Sequence, residues 1–104
     1  MLQPANVDFD ITRGDDTEVV FNFTDEAGNP LRLPASGLYV LGVEELYEPK
    51  DTRTYKGVRD DSALTFTVSA SDNLVNSRYL VRHIATNTRV TTYAYGYMKV
   101  RHLK

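Results

Sequence analysis

The chain has 104 residues, no cysteine and a formal net charge of −2, so it is long enough for one domain with its own core, and a disulfide framework, a thiolate metal site and a cysteine nucleophile are excluded. No apolar run approaches the length of a membrane-spanning helix, about 18 residues, and Met1 to Asn6 lacks the basic head and apolar stretch of a secretory leader; the expectation is a protein made in a reducing cytoplasm. Residues 1–52 hold eleven acids and three bases, net −8, and residues 53–104 hold three acids and nine bases, net +6, a division that either mixes as strands interleave or polarises the surface for docking.

Residues 1–6 read as a short arm and residues 7–104 as a single β domain. Val7, Phe9 and Ile11 alternate, as do Val19, Phe21 and Phe23. Between them Arg13-Gly14-Asp15 predicts a tight turn that uses the freedom of Gly14 in φ. The second run ends at Asp25-Glu26-Ala27, where Gly28-Asn29-Pro30 predicts a reversal. Leu31 to Gly37, with Pro34 inside it, reads as an edge strand or ordered loop. Leu38 to Tyr47 reads as a central strand with a bulge at Gly42 or Glu44-Glu45. After a turn at Pro49-Lys50-Asp51, residues 51–59 predict a short exposed strand, and Asp60-Asp61-Ser62 a turn. Leu64, Phe66 and Val68 give the cleanest alternation in the chain. Ser69 to Asn76 predicts one helical turn or a tight crossover, capped by Ser69 or Ser71. Ser77 to Ala85 is a strand, Thr86-Asn87-Thr88 a hairpin loop and Arg89 to Arg101 a long final strand. Short strands with turn signals roughly every ten residues make a β-sandwich or small barrel.

The residues offer little chemistry. Adjacent acids at Asp15-Asp16, Asp25-Glu26, Glu44-Glu45 and Asp60-Asp61 fall in turns or point to opposite faces of a strand, so neither member helps the other with a proton. His83 and His102 lie far apart and lack ligand spacing. There is no nucleophile elbow and no glycine-rich phosphate loop. The bases are spaced singly rather than clustered as a nucleic-acid stripe. Arg13-Gly14-Asp15 matches the tripeptide read by integrins, but a tight turn needs the same residues. No enzyme, cofactor, metal, nucleic acid or membrane is expected.

The final strand carries the strongest candidate site. Tyr93, Tyr95 and Tyr97 alternate with Ala94, Gly96 and Met98. If Thr92, Ala94, Met98 and Val100 face the core, all three tyrosines face out, as a sheet-stabilising ladder or as an interface. Arg78, Arg82 and Arg89 are expected at the rim of that face. The core is expected to contain Phe9, Ile11, Val19, Phe21, Phe23, Leu41, Leu64, Phe66, Val68, Val81, Met98 and Val100.

In order, these features resemble the N-terminal β-sandwich of phage baseplate upper proteins and the related attachment domains of tail fibres and tailspikes. The resembling pieces are Ile11-Thr12-Arg13-Gly14-Asp15-Asp16, the aromatic run Val19 to Thr24, the turn from Asp25 to Leu33 and the closing Gly96-Tyr97-Met98-Lys99-Val100. Two stretches depart from the family: Ser77-Arg78-Tyr79 stands where a Gly-x-Tyr is usual, and Leu38 to Glu48 is more acidic than its counterpart. The resemblance implies an antiparallel immunoglobulin-like β-sandwich of about seven strands with at most one short helical turn. It also implies a non-enzymatic virion component, in the tail, baseplate or fibre attachment, that packs against itself and other virion proteins. As it has no stalk or receptor-binding domain, the expectation is an isolated attachment domain or a small stand-alone virion protein. The alternatives are a capsid cement or decoration protein, or a carbohydrate-binding module whose outward tyrosines stack on a glycan.

Overall fold

The alternation from Ala63 to Val68 becomes the centre of the core: Leu64, Phe66 and Val68 are fully buried, while Thr67 between them is exposed. The computed structural model describes residues 5–12, 14–46, 52–69 and 75–101. Those residues form β1 (Ala5–Asn6), β2 (Phe9–Thr12), β3 (Thr17–Asn22), β4 (Leu38–Glu45), β5 (Thr52–Lys56), β6 (Val58–Asp60), β7 (Ala63–Val68), β8 (Ser77–Ile84) and β9 (Val90–Arg101), and no helix occurs among them. One sheet has the order β1-β9-β8-β4-β5, with β2 also on β9; the other has the order β3-β7-β6. Both sheets turn alternating apolar faces inward, making a β-sandwich. All pairings are antiparallel except those of β1 and β2, which run parallel to β9 along one edge, from Ala5 beside Ala94 to Thr12 beside Arg101.

Nine strands among the described residues replace the seven expected because two runs each make two strands. The first begins at Ala5, inside the residues expected to be an arm, and is interrupted at Val7–Asp8, leaving β1 and β2 in one register on β9. The second, residues 52–60, is divided at Gly57, with β5 pairing in the larger sheet and β6 in the smaller. Leu31 to Gly37 is an ordered loop. Its Leu33 is buried, with its N–H donating to the Asp61 carbonyl at 2.9 Å and its carbonyl accepting from Arg59 Nε at 3.0 Å. The bulge expected at Gly42 or Glu44-Glu45 is absent, since β4 pairs without a break with both β5 and β8. The expected helical turn falls largely on residues 70–74 and the expected turn at 49–51 on others outside the described residues.

Of the expected core, Phe9 is half-buried and the other eleven residues are buried. Val7 is exposed, because it sits where the edge strand breaks. Leu33, Tyr39, Val43, Tyr79, Tyr93 and Ala94 complete the core. Aromatic rings link the layers: Phe21 lies 6.0 Å edge-on from both Phe9 and Phe66, and Phe9 lies 4.9 Å from Tyr79.

The turn between β2 and β3 is closed by the Asp15 N–H donating to the Thr12 carbonyl at 3.3 Å, with Gly14 at φ 95°. Arg13 lies outside the described residues. That φ is strained for a β-branched residue, so Gly14→Val should lower stability by about 1–2 kcal/mol, and an unchanged urea midpoint would remove the turn role. The second turn is tied by Asp25 Oδ1, which accepts from the N–H groups of Ala27 at 2.9 Å and Asn29 at 3.0 Å. Gly28 has φ 85° there, and Pro30 bridges back to Thr24.

Two core tyrosines are anchored through their hydroxyls, Tyr39 donating to the Pro34 carbonyl at 2.6 Å and Tyr79 to the Val7 carbonyl. Burial, with smaller help from Tyr93, pushes the Tyr39 hydroxyl up to about 12, against the opposing pull of Arg59. Burial, with help from Asp8, pushes Tyr79 from 10.0 to about 12. The unfolded chain releases these protons near pH 10 and the folded chain only near 12. This stabilisation is therefore intact below pH 10 and lost as the pH rises toward 12. Urea midpoints should fall steeply between about pH 10 and about pH 12, and less steeply in Tyr39→Phe/Tyr79→Phe. Equal slopes in the two proteins would refute the assignment.

Candidate protein-protein interface

The outer face of the larger sheet is built from residues at alternate positions of β9, β8, β4 and β5, with β1 at its edge. On β8, Tyr79, Val81 and His83 point into the core, which turns Arg78, Leu80 and Arg82 outward. On β9, Met98 and Val100 point inward, which turns Tyr97 and Lys99 outward. The register aligns Asn6, Tyr95, Leu80, Gly42 and Thr54 in one row across the sheet. The row on one side contains Tyr97, Arg78, Glu44 and Thr52, and that on the other Thr92, Arg82, Val40 and Lys56.

Tyr95 and Tyr97 face out as expected, 41% and 53% exposed. Tyr93 does not: it is 7% exposed, its ring 5.7 Å from Phe23 and 6.2 Å from Tyr39. The cause is a β-bulge. Val81 pairs with Ala94, but the next residue, Arg82, pairs with Thr92, so Tyr93 is the extra residue on β9. One inserted residue reverses the in-out alternation beyond it. Tyr93 and Ala94 are therefore both buried, and Thr92 lies on the outer row with Arg82 rather than in the core.

Arg78 and Arg82 do flank the tyrosine row. Arg89 does not. It sits in the β8–β9 hairpin loop, donating its N–H to Asn87 Oδ1 at 3.1 Å and accepting from the Ala85 N–H at 2.9 Å. Eight positions along the strand separate it from Tyr97, about 25 Å by the strand rise.

Sequence reasoning missed Leu80, 40% exposed beside Tyr95. The signal was present, because three inward neighbours at alternate positions leave an apolar residue on the wet face. It also missed Gly42. With no side chain there, a depression of about 310 Å³ opens between Gly42, Thr54, Arg78, Leu80 and Arg82. The Arg82 guanidinium reaches into it, its Nη2 3.6 Å from where a Gly42 Cβ would stand. Arg82 Nε is buried with no hydrogen-bond partner among the described residues. Such a donor is costly unless a ligand or partner meets it.

Among the described residues no group of three or more His, Cys, Asp or Glu side chains could hold a metal ion. His83 is a core residue, its Nε2 2.7 Å from the Ser36 carbonyl and its ring 4.7 Å from Tyr39; His102 lies outside the described residues. The face offers apolar area ringed by cationic donors, which suits contact with another surface. No protein-family model matches this chain, and no curated protein does either.

Proposed function

We propose that the chain is a non-enzymatic structural module that works by protein–protein assembly, as a component of a bacteriophage virion in the tail, baseplate or fibre-attachment apparatus. The observation that carries the assembly reading is the exposed cluster of Tyr95, Tyr97 and Leu80 on the outer face of the larger sheet, flanked by Arg78 and Arg82. Tyrosine and arginine are enriched where proteins meet, and a contiguous apolar cluster rimmed by charge marks a contact site. The virion assignment rests on the resemblance of the Gly14 and Gly28 turns and the Gly96 to Val100 strand to phage attachment domains. Its partners are other copies of itself and neighbouring virion proteins.

Mass in solution tests the assembly reading. Tyr95→Ser/Tyr97→Ser should keep the melting temperature of the parent but lose self-association or incorporation into particles. Tyr93→Ser should instead destabilise the fold by about 2–4 kcal/mol, as for loss of a buried aromatic ring. If the double variant assembles normally, the interface reading fails. If the parent is a monomer whose tyrosine fluorescence responds to glycans, a carbohydrate-binding module replaces it.

A further inference from the structure

The two outer faces of the sandwich carry charge of opposite sign on either side of an apolar row. On the larger sheet the central row holds Tyr95 and Leu80, and Arg78 and Arg82 stand two positions to either side of Leu80 along β8. On the smaller sheet the register aligns Val20, Thr65 and Val58 in one row. Val20 is 50% exposed and Val58 69%, so this row is an apolar strip open to water. Two positions to either side of Thr65 along β7 lie the rows of Glu18, opposite Thr67, and Asp60, opposite Ala63. The base on these three strands, Arg59, pairs with the buried Leu64 and turns its Nε to the Leu33 carbonyl, away from the outer face. On both faces the charged rows are therefore about 13 Å apart with the apolar row midway.

We infer that the smaller sheet of one copy covers the larger sheet of the next, so that copies stack front to back. The Val20-Thr65-Val58 row meets Tyr95 and Leu80, and Glu18 and Asp60 meet Arg78 and Arg82. This rests on the reading of the tyrosine face as a docking surface and adds the identity of its occupant, a second copy of the chain. Opposite charge on the two faces, in rows at the same spacing along the strands, favours that occupant. A two-fold pairing of tyrosine faces would instead set arginines against arginines. Glu44 is the cross-strand neighbour of Arg78, so Arg82 and Lys56 supply the surplus positive charge. Front-to-back contacts generate rings or filaments. With sheets about 10 Å apart both within and between copies, each copy adds about 20 Å.

The test uses two charge-reversed variants, Arg78→Glu/Arg82→Glu and Glu18→Lys/Asp60→Lys, with circular dichroism melts to verify folding and light scattering to read mass. The parent should associate in a salt-sensitive, concentration-dependent way. Each variant alone should associate at least tenfold more weakly. Mixed one to one, every junction is again opposite in sign, and the mass should recover; a single chain carrying all four reversals should recover it too. A parent that stays monomeric at its highest soluble concentration overturns the inference. So does a Glu18→Lys/Asp60→Lys variant that associates like the parent, or a mixture that stays dissociated. The latter two outcomes leave the tyrosine face standing as a site for some other partner. Normal association by Tyr95→Ser/Tyr97→Ser would remove that reading itself.

Discussion

Phe66→Ala should cost about 3–5 kcal/mol, a large part of the stability of a domain this size. Phe66 is fully buried at the centre of β7, edge-on to Phe21 at 6.0 Å. It also packs beneath Gly57, where the chain passes from β5 in one sheet to β6 in the other; a Cβ at Gly57 would lie 2.6 Å from its ring. Removing the ring opens a void beneath a connection between the sheets, where neither sheet collapses without shifting the other. The melting temperature should fall by more than about 12 °C. A loss below about 1 kcal/mol in urea titrations would mean that the void is filled by rearrangement and that the crossing at Gly57 is not held by this ring.

Gly96→Ala should have the second large effect, about 2–3 kcal/mol, from a single methyl group. A Cβ there would overlap the Val7 carbonyl oxygen and stand 2.8 Å from its carbon and 2.9 Å from Asp8 Oδ1. The obstruction is main chain, so no side-chain rotation relieves it. The same carbonyl accepts the Tyr79 hydroxyl, and the same carboxylate accepts the Tyr97 N–H at 2.9 Å. Pushing Val7–Asp8 aside therefore breaks the anchors of β1 as well as the close approach. Amide exchange should separate this mechanism from a general loss of packing. In Gly96→Ala the protection of Val7, whose N–H donates to the Tyr95 carbonyl at 3.0 Å, should fall further than that of β4. Uniform loss across both sheets would contradict a local lever at Gly96.

Where burial is decided by a strand's own alternation, the sequence was readable. Leu64, Phe66 and Val68, or Val19 and Phe21, need only period two to be assigned inward. The turns at Gly14 and Gly28 were legible for the same reason, since short-range backbone geometry selects glycine. Tyr93 was not legible. Its direction depends on how β9 registers against β8, and a bulge between Val81 and Arg82 has no signature in either strand taken alone. Leu33 was hidden between polar and proline residues, its burial coming from the hydrogen bonds that draw its loop over the sandwich to Asp61 and Arg59. The outward tyrosines and their flanking arginines were half legible. Alternation gave Tyr95, Tyr97, Arg78 and Arg82, while the position of Arg89 depended on where the hairpin closed. The acidic back face could not be read at all, because Val20 and Val58 become neighbours only when β3 and β6 pair with opposite edges of β7.

The parallel seam between β2 and β9 sets the order in which the fold completes itself. Asp8 and Tyr97, joined across it, are 89 residues apart. A ribosome that has made the first eight strands holds an edge with no partner, its Phe9 and Ile11 still wet. Closure waits for β9, and the loop entropy of bringing the two together is spent before any contact of the seam returns it. Refolding is accordingly expected on the millisecond-to-second scale of high-contact-order β proteins. Protection of the first-strand amides should be the last to develop in pulse-labelled exchange.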